Sequence, residues 1–133
     1  MRKIITLLTV LLVSSLGMGQ NQERLSVHFF DVPQNLESEF LKFNSEVNKT
    51  LENAGYGKNF YKLYRVKNSD QEKTLRYFQI SSYTSDKHYE MTHDVGKEYE
   101  DLWNEMWDSE IGKKVLTFDN KTHIYRKVFR VEN

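Results

Sequence analysis

The chain has 133 residues, no cysteine, and 19 basic against 19 acidic side chains. It therefore has no disulfide staple, no thiol nucleophile and no cysteine to carry a lipid, and no basic run gives it the electrostatic footprint of a nucleic-acid binder. Its length suits one domain with one core and little margin of stability, so a subunit interface would help.

Arg2 and Lys3 precede an apolar stretch at 4–13 broken only by Thr6 and Thr9. An apolar core of about ten residues is half of the roughly 20 that a spanning helix needs, which is the layout of a signal peptide. Gly17, Met18 and Gly19 put small residues where a signal peptidase reads, ahead of the polar run at 20–23. The expectation is a signal peptide at 1–19 and a single mature domain at 20–133, secreted or periplasmic, with no membrane anchor after cleavage. Loss of Arg2 and Lys3 leaves 17 basic against 19 acidic residues, a formal charge of −2.

The mature chain opens with a β-branched and aromatic run at 26–32, a first strand. After Pro33, Leu36, Phe40, Phe43, Val47, Leu51 and Ala54 recur every three or four residues and predict an amphipathic helix, capped by Asp31 or Asn35 and stopped at Gly55 and Gly57. Residues 60–67 and 74–83 alternate as strands around a polar turn at 68–71 and read as a hairpin. A second helix runs from Ser85 or Asp86, with His88, Met91, Val95, Tyr99, Leu102 and Met106 near one stripe and Ile111 extending it to Gly112. A turn at 119–120 and a last strand at 122–131 complete the order β-α-β-β-α-β.

That order is the ferredoxin-like α+β arrangement, a four-stranded antiparallel sheet with two helices on one face. Sorting by parity puts Val27, Phe29, Tyr61, Leu63, Phe78, Ile80, Ile124 and Val128 on the side expected to meet the helices. The opposite side collects His28, Phe30, Val32, Phe60, Tyr64, Tyr77, Gln79, Tyr83, His123, Tyr125 and Phe129. An exposed face so rich in rings marks an interface or a ligand site, and predicts a homodimer packed through it.

Element order, the long second helix and the aromatic open face together resemble the dimeric α+β barrel superfamily over residues 25–131. The resemblance implies two sheets paired around an internal cavity. It also implies a range of activities: cofactor-independent monooxygenases, haem-degrading and haem-peroxidase enzymes, and small-molecule isomerases. On the parity above, His28, Tyr64, Tyr77, Gln79, His123 and Tyr125 line the cavity and form the candidate ligand-binding set. In the ferredoxin-like strand order the first and last strands are neighbours, which brings His28 toward His123. Imidazole and phenol groups there can bind a polar ligand or move a proton near neutral pH.

No cofactor is expected, with haem as the minor alternative through His28 or His88. The haem-degrading relatives use an asparagine, a tryptophan and a histidine together, whereas this first strand offers His28 in place of asparagine and carries Trp103 and Trp107 on a helix. No spacing demands a metal, and His88 and His93 lie about 140° apart around a helix. Trp103 and Trp107 read first as packing residues and second as a partner surface. The acidic side chains from Glu98 to Glu110 read as a solvated face. Asn48 and Asn120 match the glycosylation acceptor pattern. There is no glycine-rich phosphate loop, paired-histidine protease motif or nucleophile elbow, so the catalytic residues stay unassigned. Two functions remain. The first is a secreted small-molecule-binding or interaction protein; the second is a cofactor-independent monooxygenase- or isomerase-like enzyme acting on a small aromatic or carbonyl compound.

Overall fold

The computed structural model describes residues 23–67, 75–117 and 121–131. The predicted signal peptide and the predicted turns at 68–71 and 119–120 lie outside the described residues, as does Asn120. Four strands, β1 (Arg24–Phe30), β2 (Lys62–Arg65), β3 (Tyr77–Tyr83) and β4 (His123–Phe129), form one antiparallel sheet in the order β2-β3-β1-β4. Helix α1 (Glu37–Asn53) joins β1 to β2, and α2 (Asp86–Thr92), α3 (Lys97–Asp108) and α4 (Glu110–Lys114) join β3 to β4. This is the ferredoxin-like fold expected from the element order.

α1 forms where the apolar spacing predicts it, burying Phe40, Phe43, Val47 and Leu51. Its start differs from expectation. Neither Asp31 nor Asn35 caps it; Pro33 leads into a 3-10 turn at Gln34–Leu36, and the first-turn carboxylates Glu37 and Glu39 face the positive end of the helix. Its end is a Schellman motif, in which the amides of Gly55 and Tyr56 donate to the carbonyls of Glu52 and Leu51 at 3.0 Å each. Gly55 takes φ +93°, which the motif requires and a side chain resists. The predicted second helix is three helices. Gly96, at φ +115°, breaks it between α2 and α3 as the N-cap of α3, and Ser109 caps α4 by accepting from the Gly112 amide.

Asn48, one of the two glycosylation-pattern asparagines, is 8% exposed. Its amide donates to the Tyr61 carbonyl at 3.0 Å and accepts from the Tyr61 N–H at 2.8 Å, tying α1 to the chain entering β2. That closes the position to a glycan and gives it a structural role.

The faces of β1, β3 and β4 are the reverse of those predicted. Phe30 and Tyr77 pack on Phe40 of α1, with ring centroids 5.1 and 5.4 Å apart, and Gln79 donates to Asn44 of α1 at 2.8 Å. The helices therefore cover the side carrying His28, Phe30, Tyr77, Gln79, Tyr83, His123 and Tyr125, so the face expected to be open is the covered one. Val27, Phe29, Phe78, Ile80, Ile124 and Val128 form the outer face instead, only half-buried. Only β2 keeps its predicted side: Leu63 pairs with Gln79 and faces inward, while Tyr64 pairs with Phe78 and faces outward.

Gly112 sits where α4 turns back against the end of α3. A Cβ there would lie 2.3 Å from the Met106 carbonyl oxygen and 2.6 Å from that of Trp107. Both are main-chain atoms that cannot swing aside. Gly112→Ala is expected to cost about 3 kcal/mol, at the upper end of overpacking penalties, read from the urea midpoint at pH 7.

Candidate functional site

Between the sheet and the helices lies a cleft of about 1070 Å³. Its floor is the inward face of β1, β3 and β4, contributing Ser26, His28, Gln79, His123 and Tyr125; its walls are Phe43 and Asn44 of α1 and Tyr99 and Trp103 of α3. The register sets the floor. His28 is paired with Tyr125 and Gln79 across its two neighbouring strands, and Phe30 with His123 and Tyr77. Strand alternation then points these side chains the same way.

The predicted residues separate into three groups. His28, Gln79, His123 and Tyr125 come together in the cleft. Tyr77 shares their face but is packed away under α1 at 2% exposure, its hydroxyl donating to Glu37 and accepting from Arg65 Nε at 2.9 Å. Tyr64 lies on the other side of the sheet, 45% exposed and stacked on Phe78 at 4.8 Å. Its removal from the set follows from the pairing of β2, which no residue pattern in a four-residue strand specifies. Asn44, Ser26, Trp103 and Arg24 were not in the predicted set. The α1 periodicity places Asn44 beside Phe43 and Phe40, and this was the one available signal for it.

The first and last strands bring their two imidazoles into direct contact. His123 Nδ1 is 2.9 Å from the carbonyl oxygen of Leu116, just past the C-cap of α4. A carbonyl only accepts, so Nδ1 carries the proton, and uncharged His123 has its lone pair on Nε2. With His123 uncharged, His28 Nδ1, 2.7 Å from that Nε2, donates to it. In that state the chain Leu116–His123–His28 sets both tautomers and leaves His28 Nε2 with a lone pair and no hydrogen bond to the described residues. Ring stacking holds the plane of His28, with Tyr125 at 4.7 Å and His123 at 5.0 Å. Burial, reinforced by the neighbouring His123, lowers the pKa of His28 to about 4. At neutral pH it is an uncharged base.

Tyrosines on this floor diverge. Burial pushes the Tyr83 phenol up to about 12. Burial acts on Tyr125 in the same sense, but its hydrogen bonds with Ser26 and Arg24 and the Arg24 charge outweigh it and hold Tyr125 below the ordinary phenol value. Its hydroxyl is 3.4 Å from both Ser26 Oγ and Arg24 Nη2.

The exposed rim carries Asp94, Glu100 and Asp101 against Lys97, whose ammonium is taken by Asp101 at 2.6 Å. Haem would bring two propionates to such a mouth, and this rim repels them, so the residues present do not fit that group. Among the described residues, no group of three His, Asp or Glu side chains is placed to hold a metal ion. His88 lies outside the cleft; its ring packs among Tyr56, Phe60 and Tyr83, and its Nδ1 accepts from the Thr84 amide at 3.2 Å. Trp103 packs edge-on against Phe43 at 5.0 Å and lines the cleft, while Trp107 beside it is 42% exposed. Glu100 and Asp101, expected only on a solvated face, also border the mouth.

No protein-family model and no curated protein sequence matches the chain. Among solved structures it is similar to a candidate antibiotic biosynthesis monooxygenase from Caulobacter crescentus CB15. The TM-score is 0.59 at 15% identity, over 87% of this chain and 96% of the other. At that identity the match establishes a shared fold, the ferredoxin-like α+β arrangement.

The low pKa of His28 makes stability depend on pH. Unfolded histidine takes a proton near 6.5 and folded His28 only near 4, so between these values the unfolded state binds more protons. Stability is full above pH 6.5 and falls as pH drops toward 4, by about 3 kcal/mol from this group. Urea midpoints across that range are expected to show the loss in wild type and a clearly shallower loss in His28→Phe. The remaining slope includes His93, also lowered chiefly by burial.

Proposed function

We propose that this protein is an exported homodimer whose cleft binds a small, uncharged aromatic or carbonyl compound and removes a proton from it, with His28 Nε2 as the base. The observation that carries this reading is the Leu116–His123–His28 chain, which presents a lone-pair nitrogen inside an aromatic-lined space. A general base must be uncharged at the working pH and free at the reacting atom, and His28 meets both conditions. The acidic rim favours a neutral ligand over an anion. Isomerisation and cofactor-independent oxygenation both start from such a deprotonated compound, and the fold shared with the Caulobacter protein is compatible with either.

The dimer belongs on the outer sheet face. Val27, Phe29, Phe78, Ile80, Ile124 and Val128 make the outer face of three strands mostly apolar, with Arg126 opposite Val27, and all six are only half-buried, the kind of surface that marks an interface. Export rests on the residues at 1–19. No helix among the described residues is long and apolar enough to cross a membrane.

A second reading, ligand binding without turnover, draws on the rings of Tyr125 and His123 that cover the faces of His28.

Three outcomes are expected. Light scattering of residues 20–133 gives twice the monomer mass for wild type and the monomer mass for Ile80→Asp. Nitrobenzene quenches the fluorescence of Trp103 and Trp107 saturably. The α-protons of 2-tetralone, a bicyclic aromatic ketone, exchange with deuterated water in the presence of the protein, and His28→Ala slows this by at least about 100-fold while still binding nitrobenzene. Binding without exchange would select the non-catalytic reading; absence of both would reject the site.

A further inference from the structure

The proton-abstraction reading accounts for His28 but leaves a buried cation behind the cleft floor without a role. Arg24, at the start of β1, is a largely buried cation, with its side chain 9% exposed. Its guanidinium lies 4.1 Å from the centre of the Tyr89 ring and reaches Asp86 through Nη1 alone, at 2.9 Å. Asp86 is itself 78% exposed, so the carboxylate is well solvated, and Arg24 Nε is buried with no acceptor. The positive charge is therefore only partly compensated inside the protein. Nη2 aims it at the Tyr125 oxygen, 3.4 Å away.

An arginine can only donate, so Tyr125 accepts from Arg24 and keeps its own O–H to donate elsewhere. Within the protein the candidate acceptor is Ser26 Oγ at 3.4 Å, a long hydrogen bond that a better acceptor displaces. Tyr125 and Ser26 both line the cleft, and the Tyr125 ring lies against that of His28 at 4.7 Å. A base and a hydroxyl donor backed by a cation stand side by side on one floor.

We propose that Tyr125, backed by Arg24, holds the oxyanion formed when His28 removes a proton, so that the substrate is an enolisable carbonyl compound. The inference rests on the reading of His28 as the base. His28 Nε2 takes a proton from the carbon next to the carbonyl. That C–H bond breaks, its electron pair forms the C=C bond, and the carbonyl π pair moves onto oxygen, where the Tyr125 O–H donates to it. Where the compound also carries a β,γ C=C bond, that pair takes the proton back from His28 at the γ carbon, the enolate pair becomes the α,β C=C bond, the carbonyl re-forms, and the conjugated isomer leaves. Atoms and electrons balance with no oxidant, reductant or cofactor. The acidic rim suits this sequence, since the compound enters neutral and becomes an anion only beside Arg24. Arg24 acts through Tyr125 and is a positioning residue; Tyr125 touches the reacting oxygen.

The test uses 4-nitrophenol, whose ionised form absorbs in the visible, as a stand-in for the enolate, with nitrobenzene as its neutral counterpart. At about pH 6, binding to wild type is expected to raise the ratio of ionised to neutral nitrophenol at least tenfold over that in free solution. Tyr125→Phe is expected to remove most of that rise and to leave the affinity for nitrobenzene unchanged within about twofold, which also reports an intact cleft. Arg24→Gln is expected to reduce the rise with Tyr125 still present. If nitrobenzene binds but nitrophenol ionises no more than in solution, or ionises equally in Tyr125→Phe, the role of Tyr125 is overturned and that of His28 stands. If nitrobenzene does not bind wild type, both fall together.

Discussion

The arrangement of this molecule turns on one backbone carbonyl. Leu116 follows the C-cap of α4, and its carbonyl oxygen meets His123 Nδ1 at 2.9 Å. Everything chemical about the cleft follows from the resulting choice of tautomer, because the lone pair of His123 then faces His28 and the lone pair of His28 is left over. Had a donor stood in place of the carbonyl, the sequence of protons would run the other way, and His28 would present an N–H. Buried histidines commonly owe their state to such a partner behind them.

The fold supplies what this chain of hydrogen bonds needs. β1 and β4 are far apart in sequence but adjacent in the sheet, so Phe30 pairs with His123 and His28 with Tyr125. α1 closes the cleft from above through Phe40, Phe43 and Asn44, and is anchored by the paired hydrogen bonds of Asn48 to Tyr61. The break at Gly96 lets α3 turn across the far wall and bring Tyr99 and Trp103 to the cleft. A single straight helix from Asp86 onward would carry those side chains along a different line.

The element order and the approach of His28 to His123 were legible in the residues, since both depend on period and topology. Which side of the sheet the helices take was not. Alternation says that Val27 shares a face with Phe29, and His28 with Phe30, but not which face lies inside. Assigning the more apolar set to the core works for an edge strand such as β2, whose outward Lys62 and Tyr64 meet water and whose Leu63 turns in. It fails for β1, β3 and β4, whose outer face is mostly aliphatic and aromatic despite Ser82 and Arg126, while the inner one carries the polar lining of a cleft. An inward-facing cleft inverts the usual contrast, and a mostly apolar, half-buried outer face completes the deception. The positioning group Arg24 was invisible for a related reason: a charged residue at the first position of a strand reads as solvated, and only the rings of Tyr83 and Tyr89 bury it.

The positions of two protons decide the chemistry of the cleft, and nitrogen chemical shifts of the imidazoles read them directly. In protein labelled with 15N at histidine, at pH 7, the account places the proton of His28 on Nδ1 and gives Nε2 the shift of an unprotonated ring nitrogen. His123 is likewise protonated on Nδ1. These shifts are to persist in His93→Gln, which removes a neighbouring signal. A His28 found protonated on Nε2, or titrating near 6.5 as in an unfolded chain, would contradict the account, for the cleft would then contain no base.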